Sequence, residues 1–130
     1  MQNSAVRVVK RLRKFDHVKP AMKELHWLPV SQRIMFKVAT ITFKVLNSSE
    51  PKYLCELLNR YEPVRSLRSC DHNLLTVPHC RTVIASRAFS VAVPSVWNSL
   101  PNNIKNSGSI AIFKKNLKTH LFNLAYDCIS

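Results

Sequence analysis

The sequence is short of glycine and of acidic residues: Gly108 is its single glycine, and seven Asp and Glu stand among 130 residues. Tight β-hairpin turns usually need residues at positive φ, which glycine adopts most easily, so the scarcity of glycine argues against a β-rich fold. The few carboxylates are not clustered as a two-metal polymerase or nuclease centre requires. We therefore expect a helical chain that is not an enzyme on its own and that needs no metal or cofactor.

We also expect neither a membrane-spanning segment nor a secretory leader in this sequence. Arg33, Lys37 and Lys44 interrupt the longest apolar run, which is therefore too polar to span a bilayer. The N-terminus is basic and amphipathic without an apolar signal core, and it reads as a structural helix rather than a mitochondrial transit peptide. Its four cysteines are expected to be free thiols in a reducing compartment, so we expect a cytoplasmic or nuclear location.

The apolar content of 46% is sufficient for a single domain over residues 1–130. Its most apolar stretch predicts a central helix over residues 32–47, capped by Ser31, with polar residues confined to one narrow stripe. A helix that is apolar around most of its circumference must be wrapped by others. The expected fold is all-α or mainly α, a small multi-helix domain around this central helix.

Other helices are predicted on both sides of it. A first helix over residues 4–15 has an apolar face of Ala5, Val8, Val9 and Leu12, and a short helix follows over 20–26. A helix beginning near Pro51 and closed by Pro63 directs Tyr53, Leu54, Leu57, Leu58 and Tyr61 to the core.

The second half is predicted to hold one irregular region and further helices. Residues 74–77 and 82–85 form at most a minor two-stranded ribbon, because Pro78 limits pairing. Helical pattern resumes at Arg87 and restarts at Pro94, and a single turn covers 101–106. Ser109 caps a last helix whose buried face is Ile110, Phe113, Leu117, Leu121 and Leu124.

The charge is strongly unbalanced, since 20 Lys and Arg face seven acids and give a net charge of +13. A surface this basic attracts polyanions, of which nucleic acid is the commonest, although basic side chains can also merely solvate helix faces or bind a membrane surface. Contacts to phosphates would be largely independent of base sequence. The candidate nucleic-acid-binding residues are Arg7, Lys10, Arg11, Lys14, Arg33, Lys37, Lys44, Arg65, Arg68, Lys114, Lys115 and Lys118.

Two further groups of residues suggest a zinc site and a base-stacking site, but an ordinary structural role is the better interpretation of both. Cys70, His72, His79 and Cys80 lie within eleven positions, but their spacing does not match that of known zinc sites. Trp27 and Trp97 could stack on bases, but a tryptophan between leucines and prolines is more often part of a core. We therefore predict no metal site and assign both tryptophans to the core.

Several blocks resemble the C-terminal region of reverse transcriptases from non-LTR retrotransposons of the LINE type. The first is Leu25-His26-Trp27-Leu28-Pro29-Val30. Later blocks follow in the same order and cover nearly the whole chain: Arg33-Ile34, Thr42-Phe43-Lys44, Tyr53-Leu54, Arg65-Ser66-Leu67-Arg68-Ser69, Arg87-Ala88-Phe89-Ser90, Trp97-Asn98-Ser99-Leu100-Pro101 and Phe113-Lys114.

The resemblance implies a parent protein in which an endonuclease and a reverse transcriptase precede this region, whose role is to help hold template RNA or target DNA. The polymerase carboxylates of that family are absent from this sequence. The chain would then be a noncatalytic fragment that binds nucleic acid. Two alternatives are a protein-interaction module that docks on the missing polymerase domain, and a genomic relic without a selected function.

Overall fold

The computed structural model describes residues 1–65, 68 and 73–127. Within these residues the chain is mainly helical, as predicted, and forms no sheet. The helices are α1 (Gln2–Lys10), α2 (Val18–Glu24), α3 (Val30–Ser48), α4 (Lys52–Cys55), α5 (Phe89–Asn98), α6 (Asn102–Lys105) and α7 (Ile110–Tyr126).

The centre of the fold is an antiparallel pair formed by α3 and α7. Phe43, near the end of α3, stacks on Phe113, near the start of α7, with ring centroids 4.3 Å apart. At the opposite end, the Tyr126 hydroxyl donates a hydrogen bond to the carbonyl of Trp27, just before α3. Phe113, Leu117 and Leu121 are fully buried along one side of α7. The predicted central helix is confirmed, with α7 as its main packing partner.

The α5 helix closes the main core and holds an extended segment beside it. Trp97 is buried, and its indole Nε1 donates to the carbonyl of Asn73 at 2.8 Å. The Asn98 side chain accepts from the amide of Leu75 at 2.9 Å and donates to the carbonyl of the same residue at 2.8 Å. These bonds satisfy a buried backbone segment that belongs to no helix.

A second, smaller core joins the start of the chain to the end of α7. Val6, Ala21, Met22 and Tyr126 are its buried members, with Trp27 and Phe122 packed against them. The Gln2 side chain donates to the carbonyl of Leu28 at 2.7 Å, which ties α1 to the segment that precedes α3.

The structure corrects the prediction for α1 in both length and orientation. The helix ends at Lys10 because Arg11 adopts a left-handed conformation, and the amide of Leu12 then bonds to the carbonyl of Arg7 at 2.9 Å. The predicted buried face is also wrong, since Val6 is buried while Val8 is 78% exposed. Docking through Gln2 and Val6 turns the face that carries Val8 toward solvent.

The α3 helix departs from the prediction at its start and in its burial. Pro29, and not Ser31, occupies the N-cap position, and the Ser31 hydroxyl bonds instead to the side chain of Gln32. Ile34 is 58% exposed and Ile41 is 41% exposed. The helices packed on α3 are α4, α5 and α7, and they leave this side uncovered, so the helix is not wrapped all round.

Two predictions between α3 and α7 are wrong in detail, whereas the third, that residues 74–85 form at most a minor ribbon, is confirmed. The α4 helix ends at Cys55, and Tyr53, Leu57 and Tyr61 are exposed rather than buried. Leu75 pairs with Arg60 in an isolated bridge, whereas residues 82–85 form turns and lead into a short 3-10 turn, Ala85–Arg87. Pro94 lies inside a continuous α5 rather than starting a new helix.

The predictions for the end of the chain are confirmed for most residues. The single turn appears as α6. The Ser109 hydroxyl caps α7 by accepting from the amide of Ile112 at 3.3 Å. Leu124 is the exception on the buried face, since it is exposed and Tyr126 is buried in the last turn instead. No helix among the described residues is long and apolar enough to cross a membrane.

Candidate nucleic-acid interface

The two central helices carry positive charge that no acidic residue of their own offsets. The sequence of α3 contains Arg33, Lys37 and Lys44, and that of α7 contains Lys114, Lys115 and Lys118, whereas neither helix contains an Asp or a Glu. All six of these side chains are exposed. The two central helices therefore expose positively charged side chains and no carboxylate of their own.

Helical geometry places three of these six cations on one face of α3 and two on one face of α7. Arg33, Lys37 and Lys44 are separated by four and seven residues, which places them within about 40° of one another around α3. Lys114 and Lys118 are four residues apart and share a face of α7. We call these five residues the basic surface. Lys115 points almost opposite to the buried Leu117, at about 200° around the helix, and lies at the outer edge.

An open cleft of about 550 Å³ shows that the cations of α3 and α7 converge. Arg33 and Lys118 both line it, together with the aromatic side chains of Trp27, His26 and Phe36 and with Gln2 and Leu28. The His26 ring packs against Phe122 with centroids 5.5 Å apart, and its backbone has a positive φ of 51°. This turn carries the chain into α3 and places Trp27 beside the cleft.

The two tryptophans have different environments. Trp97 is 1% exposed, and its indole N–H is hydrogen-bonded. Trp27 is half-buried, and its indole N–H has no hydrogen-bond partner among the described residues. A buried tryptophan normally finds a partner for this donor. The assignment to the core is thus confirmed for Trp97, whereas Trp27 packs on the smaller core and also lines the cleft.

Carboxylates do not neutralise the cleft within the described part of the chain. Among the described residues, an ion pair joins Lys10 of α1 to Glu24 of α2, away from this cleft. Arg33 and Lys118 form no ion pair with a described residue. The N-terminus of α3, less than one turn before Arg33, has neither a capping side chain nor an acid in its first turn. Its unbonded backbone amides therefore add partial positive charge beside Arg33.

The cations predicted on α1 have other surroundings. Arg7 is half-buried and donates to the carbonyl of Asp16 at 3.2 Å. The carboxylate of Glu24 pairs with Lys10, which holds the pKa of that carboxyl below its ordinary value. Arg11 and Lys14 are exposed, and Arg7 lines a second cleft of about 840 Å³ together with Lys19 and Lys23. The structure therefore joins α3 cations to α7 cations in one cleft, and not to those of α1.

The other predicted residues that the structure describes line neither of these two clefts. Arg65 and Arg68 are exposed in the loop after α4. Lys44 lines a separate cleft beside Ser109 and Ile110, at the far end of the α3–α7 pair. His79 is exposed and Cys80 half-buried, whereas Cys70 and His72 lie outside the described residues.

Sequence reasoning did not select Gln2, His26 and Phe36 for this site, and it treated Arg33 and Lys118 as separate candidates. Periodicity shows which residues share a face of one helix, but it does not show which helices meet. The block from Leu25 to Val30 contained a signal that could have helped, since a tryptophan beside a proline at a helix start lies at an element boundary.

Comparisons of the chain with models of protein families, with curated protein sequences and with solved structures found no match.

Proposed function

We propose that this protein is a noncatalytic nucleic-acid-binding domain that contacts phosphates through the basic surface on α3 and α7. The observation that carries the proposal is the convergence of Arg33 and Lys118 on one cleft, on two helices that have six cations and no acid. Cations carried on two packed helices suit a polyanion backbone, because the helices themselves need not become ordered on binding.

The resemblance to the C-terminal region of LINE-type reverse transcriptases supports the same function. In that setting the domain would hold template RNA or target DNA while a separate polymerase domain carries out synthesis. Binding would depend strongly on salt and weakly on base sequence, because the contacts are to phosphates.

A titration of labelled single-stranded RNA and of duplex DNA, followed by fluorescence anisotropy at two salt concentrations, tests this proposal. We expect dissociation constants at or below about 10⁻⁴ M near physiological salt, with tighter binding at low salt. Affinity weaker than about 10⁻⁴ M at low salt for both nucleic acids would refute it.

A matched pair of charge reversals locates the surface. Arg33→Glu with Lys118→Glu should weaken binding by roughly 10- to 100-fold, because two charge-assisted contacts to phosphate are lost. Arg81→Glu with Arg87→Glu changes the net charge equally at two exposed residues that line neither cleft, and should have a much smaller effect. An equal loss in both variants would show that binding follows net charge and not this surface.

A protein-interaction module that docks on a polymerase domain is the second candidate. The exposed apolar residues Val30, Ile34 and Ile41 on α3 favour it, because a contiguous apolar patch often marks an interface. Light scattering over a range of protein concentrations separates the two. A monomer at all concentrations agrees with the nucleic-acid-binding proposal, whereas association that Ile34→Lys abolishes supports the docking module.

A further inference from the structure

The cleft between Arg33 and Lys118 combines two kinds of wall. The guanidinium of Arg33 and the ammonium of Lys118 supply positive charge, while Trp27, Phe36 and Leu28 supply aromatic and apolar surface. Simple phosphate binding does not require the second kind of wall. The volume of the cleft, about 550 Å³, is within the range of roughly 300–1,000 Å³ that is typical of pockets for small organic groups.

The state of Trp27 suggests what these apolar walls contact. The ring is half-buried in the smaller core, and it also lines the cleft. Packing against that core restricts the ring, which lowers the entropic cost of placing a second flat group against it. An aromatic ring beside cations is the arrangement with which proteins hold single strands, since bases stack on the ring while the backbone meets the charges.

Paired and unpaired bases differ in their access to such a cleft. In a duplex each base is stacked between its neighbours, so only phosphates and groove edges reach a protein surface unless a base is flipped out. In a single strand the base can leave the stack and place its flat face on an aromatic side chain. The apolar part of the cleft therefore adds contacts only for a single strand.

We infer that the cleft binds an unpaired base of a single-stranded nucleic acid, which stacks on Trp27 while Arg33 and Lys118 contact the flanking phosphates. This inference rests on the proposed function and adds to it a preference for single strands over duplexes. Trp27 is in this view a binding residue, and Trp97 is a structural one.

Substitution of Trp27 tests the inference directly. Trp27→Leu keeps an apolar side chain for the smaller core but removes the ring, and the backbone carbonyl that accepts from Tyr126 is unchanged. We expect single-strand affinity to fall by roughly 5- to 150-fold, with duplex affinity unchanged. Trp27→Phe keeps a ring and should retain most of the single-strand affinity.

A measurement on the unaltered protein covers the case in which Trp27→Leu does not fold. Trp97 is 1% exposed, so a change in tryptophan emission on addition of an oligouridylate reports chiefly on Trp27. We expect quenching that saturates at the same concentration as the anisotropy signal. Unchanged emission at saturating oligouridylate would overturn the inference.

The outcomes also separate this inference from the proposed function. If reversal of Arg33 and Lys118 weakens binding as expected but Trp27→Leu weakens single-strand and duplex binding equally, phosphate binding stands and the base site is refuted. If no nucleic acid binds at low salt, both proposals fail. A single-strand preference that Trp27→Leu removes and Trp27→Phe keeps supports both.

Discussion

The salt dependence of binding is the sharpest quantity that the basic surface predicts. Each phosphate neutralised by a cation releases condensed counterions, so the slope of log K against log salt is about −0.9 per contact on duplex DNA and about −0.7 on single strands. The basic surface consists of Arg33, Lys37, Lys44, Lys114 and Lys118. One phosphate for each cation gives slopes of about −4.5 on duplex DNA and about −3.5 on a single strand.

Neutralisation of the two cations in the cleft should change this slope by a definite amount. Arg33→Gln with Lys118→Gln removes two contacts, so the slope on duplex DNA should become shallower by about 1.8 and that on a single strand by about 1.4. The assay is a series of anisotropy titrations between about 50 and 200 mM salt, a range in which multiple phosphate contacts change affinity by orders of magnitude.

The matched control distinguishes direct contact from a general charge effect. Arg81→Gln with Arg87→Gln lowers the net charge equally at residues that line neither cleft, and charges farther from the nucleic acid than about 8–10 Å are largely screened at about 0.1–0.15 M salt. The control slope should therefore equal that of the unaltered protein. If both pairs of substitutions make the slope shallower by the same amount, the reasoning from the basic surface is refuted.

Two further predictions concern the core beneath this surface. Phe113→Ala should lower the free energy of unfolding by about 3–5 kcal/mol, because the ring is fully buried and stacked on Phe43; a loss in denaturant titration below about 1 kcal/mol would contradict this packing. Lys105 is buried, and burial lowers its pKa from the ordinary value of 10.5. The unfolded chain therefore binds this proton more tightly, and stability should rise as pH increases from the lowered pKa toward 10.5. The stability of Lys105→Met should not rise over this pH range, and its melting temperature at neutral pH should not be lower than that of the unaltered protein. A variant that is less stable and keeps the same dependence of stability on pH would contradict the role assigned to burial.

Local sequence was sufficient to predict the helical class and the two central helices. The apolar rows of α3 and α7 are long and regular, and in α7 the cap at Ser109 and the buried Phe113, Leu117 and Leu121 match the periodicity. Such segments are the most predictable because burial, spacing and capping all indicate the same helix.

The prediction was less accurate where tertiary contacts decide between similar local patterns. In α1 several apolar residues lie on different sides, and contacts made by Gln2 and Val6 select the buried one. Leu75 pairs with Arg60 through backbone bonds of the flanking residues, and the side chain of Asn98 holds both backbone groups of Leu75. Periodicity contains no information on either contact, since both join residues distant in the sequence.

The candidate site shows the same limit. All cations of the basic surface could be selected from the sequence because residue type and helical spacing are local properties. Arg33 and Lys118 line one cleft because α3 and α7 pack antiparallel, with Phe43 stacked on Phe113. The position of Trp27 depends on the positive φ of His26, a conformation that the sequence does not indicate in a histidine.

The distribution of the acids gives a physical reason to prefer α3 and α7 over α1 as the binding surface. The net charge of +13 attracts polyanions from a distance, but short-range contacts need cations that no carboxylate or carbonyl already holds. In α1, Lys10 is paired with Glu24 and Arg7 donates to a backbone carbonyl, so a phosphate would have to compete with these bonds. Arg33 and Lys118 stand on helices without acids, and no described residue forms an ion pair with either side chain, so a phosphate there meets no such competition.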